Sequence, residues 1–392
     1  MKRFGWILVL WMATAPAWAA GKMTVQQLKD LLISLQKANT ADADVAAQLK
    51  DVELTEEMTH SVMNSLGPYV PGQLTTEQLF VLEVRSAVLA PPAADLPSTP
   101  APDAATQKAI LDKAIDYANK TYAQLPNLTA TKATRRFQDS TEFTQGSIAA
   151  HSSVTVAAPI PPIRYTAGTE ATVTLQNGAD QNSLENDKTQ WGRNSMIALL
   201  GQGPVLTTVL REAQAAGKIN WVRWETIDGK QTAVYSFVVD KKASRYAVNY
   251  CCFPETSQEG QMTMRGLSGP GAGPGGTAAG GDTMGNYGTN ANWKNFKATV
   301  PYHGEIFVDP DSGTVVRLIT QADFKAGDWV RQEDQCIQFG AVTVGDKPMV
   351  VPVTTFINTL SRPYGDNQRA STILRHTLFI SEYKNYQAGA AH

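Results

Sequence analysis

Apolar and polar positions alternate with two different periods along this chain, and the change of period divides it. From Met23 to Leu89 the period is helical. Val25, Leu28, Leu31, Leu32 and Leu35 recur at steps of three and four, which places them on one helix face. Thr24 with Gln27 has the form of a capping box. Residues 42–49 predict a short second helix. Thr55-Glu56-Glu57 opens a third that ends at Leu66, before Gly67-Pro68. Thr75-Thr76-Glu77-Gln78 opens a fourth, carrying Val81, Val84 and Val88 beside Phe80. Four short helices with short connections predict a small bundle over residues 20–89. Residues 90–104 hold five prolines and five alanines, the composition of a stiff linker and a domain boundary. A longer helix follows over 105–125, with Leu111, Ile115, Ala118, Tyr122 and Leu125 along one side.

From Thr129 onward the period is two. Strands are predicted over 129–138, 152–158, 170–176, 219–226, 231–239, 244–252, 301–308, 313–323, 332–343, 347–358 and 372–383. Asn177-Gly178, Asp228-Gly229, the run Asp309 to Gly313, and Gly345-Asp346 supply the turns. One helix, 203–216, interrupts. The expected class is therefore α+β. A small N-terminal helical bundle precedes a large curved antiparallel sheet, a half-barrel packed on one or two helices, over residues 105–392. The stretch 253–300 breaks the alternation. Its ten glycines within residues 266–288 predict a Gly-rich loop. Gly-x-Gly spacings there lack the strand-to-helix setting that makes a phosphate cradle.

Composition narrows the class. The chain has 392 residues, 43% of them hydrophobic and 18% charged, as in globular domains. A formal charge of −2 gives no overall basic field, so nucleic acid is not an expected partner. Lys2 and Arg3, the apolar run from Phe4 to Met12 and Ala17-Trp18-Ala19 form a signal peptide over residues 1–19. The run is too short to span a membrane, and no later segment is long enough. The protein is expected to be exported, periplasmic or extracellular, with no transmembrane segment after cleavage.

Several phrases are familiar. The run from Tyr302 to Leu318, YHGEIFVDPDSGTVVRL, and the run from Gln338 to Val353, QFGAVTVGDKPMVVPV, resemble a family of exported acidobacterial proteins of unknown function. Val45-Ala46-Ala47-Gln48-Leu49, Leu54-Thr55-Glu56 and Asn249-Tyr250-Cys251-Cys252 are similar to that family too. The Gly-rich insert departs from it. The strand-turn-strand grammar also resembles the LolA/LolB-type half-barrel of lipoprotein-sorting proteins. That resemblance implies a curved sheet holding acyl chains against helices, and no catalytic residue transfers with it.

Few residues suggest chemistry. Cys251 and Cys252 adjoin, with Cys336 distant. Export favours a disulfide from one of the pair to Cys336, with three reduced thiols as the alternative. His303 and Glu305 share a strand face, as a polar sheet face or as part of a hydrolytic site needing a third group. Asp309, Asp311 and Gly313 mimic the start of a calcium loop but suit a hairpin turn. Trp221, Trp224, Tyr235 and Phe237 make an aromatic hairpin. The odd spacing of the two tryptophans puts them on opposite strand faces, one in the core and one at a rim. Lys132, Arg135 and Arg136 form a small basic cluster, two of the three expected in solvent. No metal or cofactor is expected.

The apolar strand faces carry the leading expectation. Val234, Val238, Tyr246, Val248, Tyr250, Ile306, Val308, Val316 and Leu318 are expected along one side of the sheet, either packed on helices or lining a cavity. The leading reading is a binding protein that holds a lipid, acyl chain or other apolar ligand there. The alternative is a structural or interaction protein of the cell envelope, docking a partner through its N-terminal helices. A hydrolase is the third.

Overall fold

The computed structural model describes residues 21–138, 162–176, 178–180, 197–198, 203–254, 293–361 and 375–389. The expected signal peptide, the strand over 152–158 and the glycine run 266–288 lie outside those residues. The N-terminal part opens with β1 (Lys22–Met23), α1 (Val25–Lys37) and α2 (Asp42–Leu49). It continues through β2 (Glu53–Leu54), α3 (His60–Leu66) and α4 (Gln73–Ser86). β1 and β2 form a short parallel bridge. Leu28, Leu32, Leu49, Leu66 and Leu79 are fully buried together, so the helical periodicity does form the bundle core. The expected capping box is present, with Thr24 Oγ1 accepting from Gln27 N–H and Gln27 Oε1 accepting from Thr24 N–H. The third helix starts later than expected. Thr59, not Thr55, caps it, and Glu57 is left in the connection before it.

Residues 90–103 do not hang as a free tether. Ala90 accepts a hydrogen bond from Glu57 N–H, and Pro100 accepts one from the Trp224 indole. The segment leads to α5 (Ala104–Lys120), capped by Asp103. Then come β3 (Leu128–Gln138), β4 (Arg164–Gln176), β5 (Ala179–Asp180), β6 (Ile197–Ala198) and α6 (Leu206–Ala216). α6 ends at Gly217, whose left-handed φ of 62° closes the helix. The remaining strands are β7 (Ile219–Ile227), β8 (Lys230–Val239), β9 (Ala247–Pro254), β10 (Trp293–Thr299), β11 (Tyr302–Val308), β12 (Val315–Ala322), β13 (Val330–Val344), β14 (Lys347–Ser361) and β15 (Arg375–Ala388). β10 lies in the stretch expected to be loop, where it pairs with β9.

Ten strands form one open antiparallel sheet, in the order β5-β4-β3-β15-β14-β13-β12-β11-β8-β7. β6, β9 and β10 form a separate small sheet. The protein is α+β: a small helical region and a large antiparallel sheet packed on helices. Both faces of that sheet are covered. On one, Ala114 and Ala118 of α5 and Val209 and Ala213 of α6 meet Tyr235, Phe237, Ile306, Val308 and Leu318. Val248 and Tyr250 of the small sheet join them. On the other, Val81 of α4, with Phe80 and Val84, meets Phe137, Val234, Phe307, Ile319, Cys336 and Phe356. Each fully buried side chain of this size contributes about 1.5–3 kcal/mol. A two-sided core explains why β8 reads apolar on both faces, Ala233-Val234-Tyr235 being buried without a break.

Candidate functional site

The residues expected along one apolar side divide between the two faces. Ile306, Val308 and Leu318 are fully buried against α5 and α6, with Tyr246, Val248 and Tyr250 beside them. Val234 is fully buried and Val316 partly buried on the bundle face. Val238 is 42% exposed. On β8 no bulge intervenes: Val234 pairs with Phe307 and Tyr235 with Ile306, so Val234 shares the face of Phe307 and not that of Ile306. On β12 a β-bulge is the reason. Phe307 pairs with Arg317 but Val308 pairs with Val315, so Val316 is an extra residue and the alternation inverts there. Val316 and Leu318 therefore point opposite ways.

The aromatic hairpin is corrected by the same device. Trp221 pairs with Tyr235 and Arg223 with Val234, leaving Val222 unpaired. Trp221 and Trp224 consequently share a face, their rings 4.8 Å apart and edge-on at 78°. They stand beside Tyr235, whose hydroxyl donates to the carbonyl of Gln107 in α5. The turn at Asp309 is a hairpin turn. Asp309 Oδ1 accepts the N–H groups of Asp311 and Ser312, Gly313 takes φ 75°, and Lys113 Nζ donates to the carbonyls of Pro310 and Asp311.

Cys336 is a free, fully buried thiol on the bundle face, pushed up to about 12 by burial. The β9 residues that reach this sheet, Tyr246 and Tyr250, do so on the opposite face. The expected bridge from Cys336 is not formed. The side chains of Cys251 and Cys252 lie outside the described residues.

Two of the three basic residues on β3 prove to be buried, not solvated. Lys132 and Arg136 point to the α5 face, Lys132 Nζ sitting 2.7 Å from Asp180 Oδ2 and the Arg136 guanidinium over the Phe379 ring. Thr134 and Ser381 hydrogen bond between them at 2.9 Å. Further along that face the Glu333 carboxylate accepts from the hydroxyls of Tyr246 and Tyr250. Burial raises its pKa, against the lowering effect of those two donors. The sheet is thus apolar under α5 and polar toward β3. Arg135, on the bundle face, pairs with Glu382 and covers Phe80.

His303 and Glu305 share the bundle face as expected, but do not converge. His303 Nδ1 lies 3.0 Å from Asp323, both about half exposed. Glu305 takes a bidentate pair from Arg223, at 2.8 and 2.9 Å. It belongs to a cluster that sequence reasoning missed. Arg223 also pairs with Glu225 at 2.8 Å. Arg317 Nη1 lies 3.1 Å from Glu57 of the bundle and 3.8 Å from Glu225. Both guanidiniums flank the Phe307 ring. Among the described residues no group of three or more His, Cys, Asp or Glu is arranged to hold a metal.

The two ends of the large sheet differ. At β7 the Trp224 indole donates to the carbonyl of Pro100, and among the described residues no strand pairs with the outer edge of β7. β4 at the other end is paired along its inner edge by β3, interrupted only at Thr166. Among the described residues its outer edge is paired only at Leu175 and Gln176, by β5. Residues 164–174 of that edge contain six residues typical of strands, Tyr165, Thr166, Thr169, Thr172, Val173 and Thr174, and neither lysine nor proline. Those last two are the usual devices that blunt an exposed edge. Tyr165 is 52% exposed, its ring edge-on to Phe137. Its hydroxyl lies over Gly168, where a Cβ would come within 2.7 Å. The bundle holds only the start of this edge. Glu77 accepts the Tyr165 N–H at 2.6 Å, and Gln78 donates to the carbonyl of Ile163.

Comparison with protein-family models, with curated proteins and with solved structures finds no match to this chain. No helix of the described residues is long and apolar enough to cross a membrane.

Proposed function

We propose that the protein is an exported interaction protein that takes an extended segment of a partner polypeptide alongside β4. The observation that supports this reading most directly is the outer edge of β4, a long row of strand backbone that among the described residues has one short neighbour at its far end. An extended chain added there would bond through its main chain and be read by alternate side chains. Apart from the exposed Val238, the apolar positions first considered for a lipid or acyl chain already serve the core beneath α5, α6 and α4. The apolar residues of α4 likewise pack on the protein's own sheet, so the edge and not the bundle is the proposed docking place for a partner.

The test uses exposed positions, where substitution leaves the core intact. Thr172 and Thr174 are exposed on β4. Short linear peptides selected from a display library on the full chain should bind wild type about tenfold more tightly than a T172K/T174K variant, the loss of about two cross-strand pairs. Equal affinity for both proteins would defeat the proposal.

A further inference from the structure

The bundle meets the sheet through a buried ionic cluster whose charges do not balance. Glu57 comes from the connection before α3. Arg317 lies on β12, Arg223 and Glu225 on β7, and Glu305 on β11. Cys336 of β13 is the other titratable group against it. With every group ionised, three carboxylates face two guanidiniums. The partners are also unequally shared. Glu305 holds Arg223 by both oxygens. Glu225 has Arg223 at 2.8 Å and the edge of Arg317. Among the described residues the Glu57 carboxylate has one cationic partner, an Arg317 nitrogen that it shares with Glu225. Its side chain is 8% exposed. An excess negative charge in such a place is costly, and a proton removes it.

We propose that docking of the helical bundle on the sheet is proton-linked, with Glu57 as the group that takes the proton when the bundle closes. Burial, opposed by Arg317 and assisted by the neighbouring Glu225, raises Glu57 from 4.5 to about 7. Glu225 is raised as well, chiefly by burial. The sign follows from linkage. A carboxyl with a raised pKa in the docked state favours docking fully below 4.5 and loses that contribution as pH rises through about 7. The bundle is therefore held most firmly in acid and opens more often in mild alkali. The inference does not depend on strand addition at β4.

Cys336 reports the opening, because its thiol is covered by the bundle. The experiment labels the full chain with a disulfide reagent from pH 5 to pH 8 and quantifies the Cys336 peptide by mass spectrometry. Each rate is divided by that of the unfolded chain at the same pH, which removes the ionisation of the thiol itself. Wild type should show a rise of about 100-fold in normalised reactivity across this range. Glu57→Gln should be flat and low. A flat wild-type profile overturns the proposal. So does an unchanged rise in Glu57→Gln, or a rise abolished by Glu225→Gln and not by Glu57→Gln. If Glu57→Gln fails to fold, a carboxyl titration of Glu57 in wild type by isotope-edited spectroscopy decides instead. A midpoint near 7 supports the linkage and one near 4.5 overturns it.

Discussion

Asp42 belongs to α2 but caps α4. Gly72, at the N-cap of α4, offers no side chain, and the Asp42 carboxylate accepts from Leu74 N–H, Thr75 N–H and the Thr75 hydroxyl at 3.0, 2.9 and 2.7 Å. The Gly72 backbone is extended, so its conformation suits any residue. Close approach is the constraint, since a Cβ there would lie 2.5 Å from Asp42 Oδ2. Burial opposes ionisation of Asp42, but these donors hold its pKa below 3.8. Asp42→Ala should therefore destabilise the bundle by about 1–2 kcal/mol at neutral pH, the usual cost of a lost cap. The lowered pKa makes that contribution complete above 3.8, and it fades as pH falls through the lower folded value. Urea unfolding at neutral and strongly acid pH checks both parts, and an equal difference at the two pH values would contradict the assignment. Contacts at this scale were legible in the sequence only where they are local. Thr24 and Gln27 stand three apart and were found. Asp42 with Thr75, and Glu57 with Arg317, join distant parts of the chain, and no spacing rule reaches them.

At the scale of elements, alternation located every described long strand except β10 and the first half of β4. The direction of side chains failed wherever a strand carries an extra residue. Val222, Val316 and Thr166 each interrupt the pairing, on β7, β12 and β4. A one-residue shift exchanges faces for everything beyond it. That is why Trp224 joins Trp221 under the proline segment while Arg223 reaches the ionic cluster. Deleting Val222 would restore regular pairing and force one of these groups onto the wrong face. The expected result is a loss of at least about 3 kcal/mol, the range for breaking a buried charged network. Chemical unfolding measures it, and loss of the coupled tryptophan signal in circular dichroism accompanies it. A deletion variant as stable as wild type would show that the bulge does not direct these side chains.

At the scale of the whole molecule, the sheet is a wall with helices on both sides. The proline segment runs from the bundle, on one face, past the β7 edge to α5 on the other. This is why a composition typical of a tether here accompanies a packed strap. The α+β class was legible because two periods mark two kinds of element. The covering of both faces was not, because Val234 and Tyr235 are adjacent and either could have been taken for the single buried side. With most of both faces covered by the protein's own elements, the proposed place for a partner chain is the outer edge of β4, which among the described residues pairs only with β5. The most direct measurement is an amide hydrogen-exchange footprint of the full chain with a selected peptide bound. The account predicts added protection within residues 166–174 of β4, at alternate amides, with β11 and β12 unchanged. Protection centred on β11, β12 or the bundle, with β4 unaltered, would contradict it.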